Sequence, residues 1–120
     1  MPLTAASARF HTNNDDKDGD TVLSIYVDGP MGRVAQVEGI QGHFDDNSDN
    51  GPFALTIVRP IARFEIPVCR TRVHIDPNGH DTWRFNYEID LIFDDAPPAA
   101  KNWNGLALDQ NSRDFSDGLG

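Results

Sequence analysis

The sequence predicts an all-β protein, a single antiparallel β-sandwich of about seven or eight strands. Several segments alternate apolar and polar residues with a period of two, which is typical of strands that bury one face. No segment has sustained helical periodicity. The 10 glycines and 8 prolines also suit many short strands that are joined by turns.

The first strands follow from this alternation in chain order. Residues 8–12 predict a short strand, and residues 23–27 predict a second, with Leu, Ile and Val at alternate positions. The turn signal at 28–32, Asp-Gly-Pro-Met-Gly, leads to a third strand at 33–38. Residues 53–57 predict the fourth strand, with Phe, Leu and Ile on one face.

Residues 61–75 predict one long strand that carries a β-bulge. The side-chain parity of the apolar residues slips beside Pro67, between Val68 and Cys69, and no Gly or Asn supplies a hairpin turn there. The clearest strand comes next, and its large residues alternate on one face: Trp83, Phe85, Tyr87, Ile89, Leu91 and Phe93.

The rest of the chain predicts one more strand and the domain limits. Trp103, Leu106 and Leu108 indicate a last edge strand. The 120 residues fit one domain, which we expect at 8–109 between a flexible N-terminus at 1–7 and a flexible tail at 110–120.

Composition narrows the classes of function and location. The net charge of −9 argues against a nucleic-acid partner, because phosphate contacts need clustered Lys and Arg. Cys69 is the single cysteine, so an intrachain disulfide is impossible. The N-terminus lacks signal-peptide features, and no apolar run is long enough for a transmembrane segment. We expect a soluble protein, cytoplasmic or exported without a recognisable signal peptide.

The most informative feature is the acidic stretch at 13–20, which predicts a calcium site. Crowded carboxylates repel one another, and calcium relieves this by taking about six to eight oxygen ligands. If 61–75 is one strand, counting strands brings 13–20, 38–52 and 76–81 to the same end of the domain. The primary candidate ligands are Asp15, Asp16, Asp18, Asp20, Asp76, Asn78 and Asp81, and the additional candidates are Asp45, Asp46 and Asp49.

Three short motifs resemble those of PLAT and C2 domains. They are Asp18-Gly19-Asp20-Thr21-Val22-Leu23, the stretch from Phe44 to Phe53, and Asp76-Pro77-Asn78-Gly79-His80-Asp81-Thr82-Trp83. The resemblance implies a β-sandwich whose calcium loops dock on a membrane surface or a protein. It carries that role to Asp16, Asp18, Asp20, Asp76 and Asp81. The segments 13–20 and 45–50 lack the apolar tips that insert into bilayers.

Other functions remain open. Trp103, among Asn and Gly, could stack on a sugar in a lectin-like module or lock the tail onto the domain. A basic stripe for a ligand could form from Arg63, Arg70, Arg72 and His74, with Arg84, or these residues could pair with acidic residues across strands. A structural or assembly subunit with solvated acidic loops is a further alternative. No sequence motif of a nucleophile appears, so we expect no catalytic residue and no enzyme. The partner is thus a protein, a lipid headgroup or a glycan.

Overall fold

The structure is a computed structural model that describes residues 3–13, 22–40, 47–76, 82–94, 96–109 and 111–119. These residues form eight β-strands and one 3₁₀ helix at Arg63–Val68, between the fourth and fifth strands. The strands are β1 Leu3–Thr12, β2 Val22–Gly29, β3 Gly32–Ile40, β4 Asp49–Ile57, β5 Arg70–Asp76, β6 Trp83–Phe93, β7 Ala99–Leu108 and β8 Asp114–Gly118.

The eight strands form one antiparallel sheet, in the order β7-β6-β1-β4-β3-β2-β5-β8, and this sheet nearly closes into a barrel. The all-β class was predicted correctly, but the two-sheet sandwich of C2/PLAT type is wrong. Sandwich and barrel strands both bury every second residue, so alternation does not distinguish them. Here the sheet curls around one core instead of facing a second sheet.

Aromatic side chains fill the barrel interior. The Phe10 ring lies 5.1 Å from the Tyr87 ring and 5.3 Å from the Trp83 ring, between centroids, and Trp83 stacks on Phe85 at 3.9 Å. All four residues are at most 2% exposed. In the described part of the chain the interior is therefore a packed core, and sites for ligands are to be sought on the outside and at the ends.

Most predicted strands are present, but the segment 61–75 differs from the prediction. The alternation at 83–93 is confirmed as β6. The single bulged strand is wrong, because the chain forms the 3₁₀ helix around Pro67 and begins β5 only at Arg70. The backbone N–H of Cys69 donates to the carbonyl of Ile66 at the end of this helix. The helix therefore accounts for the change in side-chain parity between Val68 and Cys69.

The strands reach beyond the expected domain limits of 8 and 109. Leu3–Thr12 pairs with β6 along nearly its whole length, and Asp114–Gly118 pairs with β5. The described residues contain no helix that is long and apolar enough to cross a membrane.

Candidate functional site at the acidic end of the barrel

The described strand ends that flank three acid-rich segments of the sequence lie at one end of the barrel. Antiparallel pairing brings the last residues of β1, β3 and β5 to the same end as the first residues of β2, β4 and β6. We call this the acidic end. The intervening acidic segments, 14–21, 41–46 and 77–81, lie outside the described residues.

The residues that flank these segments contact one another directly. The backbone N–H of Asn47 donates to the carbonyl of Asn13 over 3.0 Å, and the N–H of Asn13 donates to the carbonyl of Arg84 over 2.8 Å. At the other end of the first acidic segment, Val22 lies opposite Asp76 on β5. Leu23, the next residue, lies opposite Ile40 on β3. The described residues that flank segment 14–21 therefore lie beside the flanks of both other segments.

Most of the predicted ligands belong to these segments. Two predicted ligands, Asp49 and Asp76, are described, and they lie on strands that are separated by two others in the sheet. Among the described residues no group of three His, Cys, Asp or Glu side chains could hold a metal ion. The predicted ligands outside the described residues are Asp15, Asp16, Asp18, Asp20, Asp45, Asp46, Asn78 and Asp81.

Asp76 lies close to an imidazole of its own strand and to a guanidinium just before β8. Its Oδ1 lies 3.1 Å from His74 Nε2 and 4.0 Å from Arg113 Nη1. The other ring nitrogen of His74 lies 2.7 Å from Asp114 Oδ1. His74 thus bridges two carboxylates and holds Asp76 at the point where β5 leads into the third acidic segment.

Arg70 and Arg72 do not form a free basic stripe with Arg84. Arg84 lies on β6, which is not next to β5 in the sheet. The guanidinium of Arg72 lies 4.7 Å from the centre of the Tyr26 ring, and its Nε is 3.9 Å from Asp114 Oδ1. Arg70 Nη2 donates to Ser116 Oγ over 3.3 Å. Both side chains therefore support packing on the outer face around β2, β5 and β8.

Trp103 closes the gap between the two edge strands of the sheet. Its ring stacks on Tyr87 with centroids 5.4 Å apart, and it meets Phe115 of β8 edge to face at 5.6 Å. Its Nε1–H donates to Asp117 Oδ2 over 2.8 Å. This hydrogen bond, with a second from the backbone N–H of Gly118, lowers the pKa of Asp117. The geometry matches the alternative in which Trp103 locks the tail onto the domain.

Cys69 is a buried core residue. It is fully buried, and its Sγ donates to the carbonyl of Glu65 over 3.3 Å. Burial, with the negative charge of Glu65, raises the pKa of the thiol. Since the thiolate is the nucleophile, a raised pKa makes this cysteine unreactive.

A groove on the outer face of β4, β1, β6 and β7, lined mostly by polar residues, was not predicted from the sequence. Its volume is about 690 Å³, and it begins just below the acidic end, where His11 Nδ1 lies 2.7 Å from Asp49 Oδ1. Alternation alone indicates that Asn86 and Glu88 point outward. The pairing of β6 with β7 was needed to bring Asn102 beside Glu88.

No family model, no curated protein and no solved structure matches this chain.

Proposed function

We propose that this protein is a calcium-binding, non-enzymatic interaction module, and that calcium orders the loops with which it contacts a protein or a lipid surface. One observation carries the proposal. The flanks of the three acidic segments interlock at one end of the barrel, through Asn13 with Asn47 and Arg84, and through the pairing of Val22 with Asp76. The sequences between these flanks are rich in carboxylates.

The electrostatics of these segments favour a divalent cation. The segments contain seven carboxylates, and their only Lys or Arg is Lys17. Two like charges about 4 Å apart repel by roughly 1 kcal/mol in water and about 4 kcal/mol near a protein surface. Calcium would replace this repulsion with attraction and would accept the carboxamide oxygens of the same segments. The seven carboxylates are Asp15, Asp16, Asp18, Asp20, Asp45, Asp46 and Asp81.

We assign the primary ligands to the first and third acidic segments. Asp15, Asp16, Asp18 and Asp20 supply the first set, and Asn78 and Asp81, with Asp76 at the end of β5, complete it. Asp45, Asp46 and Asp49 are the additional ligands. Calcium chemistry needs only oxygen donors, so the four histidines are not required.

The partner is expected to meet the ion rather than an apolar loop tip. Segments 14–21 and 77–81 have no large aliphatic or aromatic side chain, and segment 41–46 has only Phe44, so burial in hydrocarbon would gain little. A bound calcium ion with an open coordination position can instead accept an oxygen from a carboxylate or a phosphate of the partner. Docking through a bridging ion explains how a chain of charge −9 could bind an anionic surface.

Thermal unfolding tests the cation directly. We expect the melting temperature of the full chain to rise by several degrees when EDTA is replaced by millimolar calcium, since a ligand at about a hundredfold its Kd stabilises by roughly 2.7 kcal/mol. Asp18→Asn should reduce the rise. Asp94→Asn is the matched control, because Asp94 is an exposed aspartate at the opposite end of the barrel.

Two outcomes would contradict the proposal. A melting temperature that calcium leaves unchanged would indicate that the acidic segments are solvated surface without a bound ion, as expected of a structural or assembly subunit. If Asp18→Asn and Asp94→Asn reduced the calcium-induced rise in melting temperature equally, calcium would be acting through the net negative charge and not at a specific site. If calcium does bind, flotation with phosphatidylserine vesicles, in calcium and in EDTA, separates a lipid surface from a protein partner.

A further inference from the structure

The groove on the outer face of β4, β1, β6 and β7 has the dimensions and chemistry of a second binding site, which shares only Asp49 with the calcium ligands proposed above. Its volume of about 690 Å³ lies within the range of small-molecule sites, about 300–1,000 Å³. Two irregularities border it. The register of β1 and β4 shifts between Ala8 and Phe10, and that of β6 and β7 shifts between Phe85 and Tyr87.

Glycines at these irregularities have backbone conformations that other residues rarely adopt. Gly51 has φ 113°, and a Cβ there would lie 2.8 Å from the carbonyl oxygen of Ala8. Gly105 has φ 71°, and its N–H donates to Asn86 Oδ1 over 3.0 Å. The two outer strands therefore depart from regular pairing on either side of β1 and β6, which form the floor of the groove.

Strand register arranges the floor in two parallel rows of polar side chains. Neighbouring strands are about 5 Å apart, and the rows are separated by two residues, about 7 Å. The two rows therefore present hydrogen-bonding groups over an area that suits a ligand of two or three sugar rings. One row is Asn102, Glu88 and Arg9, and the other is Asn86, His11 and Asp49.

Several of these groups have hydrogen-bonding capacity that the described part of the chain does not use. Arg9 and Glu88 are directly opposite one another, yet no ion pair joins them. Asn102 and Asn104 also make no side-chain hydrogen bond in the part of the chain that the structure describes. His11 donates from Nδ1 to Asp49, because an ionised carboxylate can only accept, and Nε2 of the neutral ring is then an acceptor.

The mixture of groups selects a class of ligand. Each carboxamide is both a donor and an acceptor, and so is each sugar hydroxyl. Arg9 offsets one of the two carboxylates, Glu88 and Asp49, so the groove favours neither a strongly anionic nor a cationic ligand. Its lining has no exposed large apolar side chain that would anchor a peptide, since Phe10 and Tyr87 are buried.

We infer that this groove binds a neutral oligosaccharide through hydrogen bonds from the two rows, without need of calcium. Asn102 and Asn104 of β7 and Arg9 of β1 contribute donors that have no partner among the described residues, and Glu88 contributes acceptors. Trp103 is not part of the site, because its ring packs against Tyr87 and Phe115.

A glycan array with the full chain, in buffer that contains EDTA, tests the inference. We expect neutral oligosaccharides to be retained in preference to sialylated or sulfated ones. The affinity for the best neutral glycan, measured by calorimetric titration, should then fall at least about tenfold in Asn102→Ala/Asn104→Ala. Asn111→Ala removes an exposed carboxamide outside the groove and should leave the affinity unchanged.

The outcomes separate this inference from the calcium proposal. Absence of neutral glycan binding, preference for charged glycans, or an affinity that the double variant leaves intact would overturn it. Binding that requires calcium would place the sugar at the acidic end and would overturn it as well. Failure of calcium to raise the melting temperature, by contrast, would leave the groove untouched.

Discussion

Thr71 brings a hydroxyl into a fully buried position of β5, where it links β2 and β6 through hydrogen bonds. Its Oγ1 donates to the carbonyl of Tyr26 over 3.0 Å and lies 2.7 Å from the hydroxyl of Tyr87 on β6. Because the single proton of Thr71 is used toward Tyr26, Tyr87 must be the donor in the second bond. Burial raises the pKa of Tyr87, which therefore keeps its proton.

Replacing Thr71 by Val should cost about 1–3 kcal/mol of unfolding free energy, because it leaves the buried donor of Tyr87 without an acceptor. Tyr87→Phe removes that donor and should cost less. We expect Thr71→Val/Tyr87→Phe to lose clearly less than the sum of the two single losses, in urea denaturation. Additive losses would mean that the hydroxyls do not act as a pair.

At the scale of the element, local patterns could be predicted from sequence where one face of a strand is buried. The alternation at 83–93 gives β6 with the correct inward residues, because each inward position meets the same core. The segment around Pro67 could not be predicted in this way. A 3₁₀ helix and a bulged strand both change side-chain parity, and only contacts with the rest of the barrel distinguish them.

Closure of the barrel could not be predicted from the sequence for a related reason. It depends on the last seam, between β7 and β8, where side chains replace the ladder of backbone hydrogen bonds found at the other seams. Lys101 Nζ donates to the carbonyl of Gly118 over 3.0 Å, and Trp103 donates to Asp117. Alternation in 99–108 predicts a strand, but it carries no information on which edge that strand will approach.

Trp103→Phe should loosen this seam and change how it responds to acid. The phenyl ring can keep the stacking on Tyr87, but it cannot donate to Asp117, so the pKa of Asp117 should rise toward its ordinary value of 3.8. In the folded protein that pKa is lowered. The ionised carboxylate therefore stabilises the seam fully when the pH is above the pKa that Asp117 has in the unfolded chain. This contribution is lost as the pH falls through the lower pKa of the folded protein.

An NMR titration of the carboxyl resonances measures the rise in the pKa of Asp117. Hydrogen exchange of the β8 amides should also be faster in Trp103→Phe than in the parent chain. Asp117→Asn is the control: the indole N–H resonance of Trp103 should lose the acid-dependent shift that it has in the parent chain. If Asp117 titrates identically with and without the indole, the hydrogen bond does not hold the seam.

For the whole molecule, counting strands correctly predicted that the strand ends flanking the acidic segments share one end, although the fold type was wrong. The segments themselves lie outside the described residues. The predicted strand at 61–75 crosses the domain once, and so does β5, while residues 58–69 stay at the opposite end near the turn that joins β2 and β3. The chain therefore crosses the domain as many times between β4 and β6 as the prediction assumed. The groove could not be predicted, because it depends on two register shifts that no single segment encodes.

The charge of the whole molecule supplies a last test that does not depend on calcium. If the acidic segments are held together, their mutual repulsion destabilises the fold in a chelator at low ionic strength. Screening should then raise the melting temperature by a few degrees between about 10 mM and about 500 mM NaCl, since the screening length falls from roughly 30 Å to a few ångströms. Asp16→Asn/Asp18→Asn/Asp20→Asn should start from a higher melting temperature and respond less to salt. A parent chain that salt leaves unaffected would remove the driving force on which the calcium proposal rests, because separated carboxylates gain little from a shared ion.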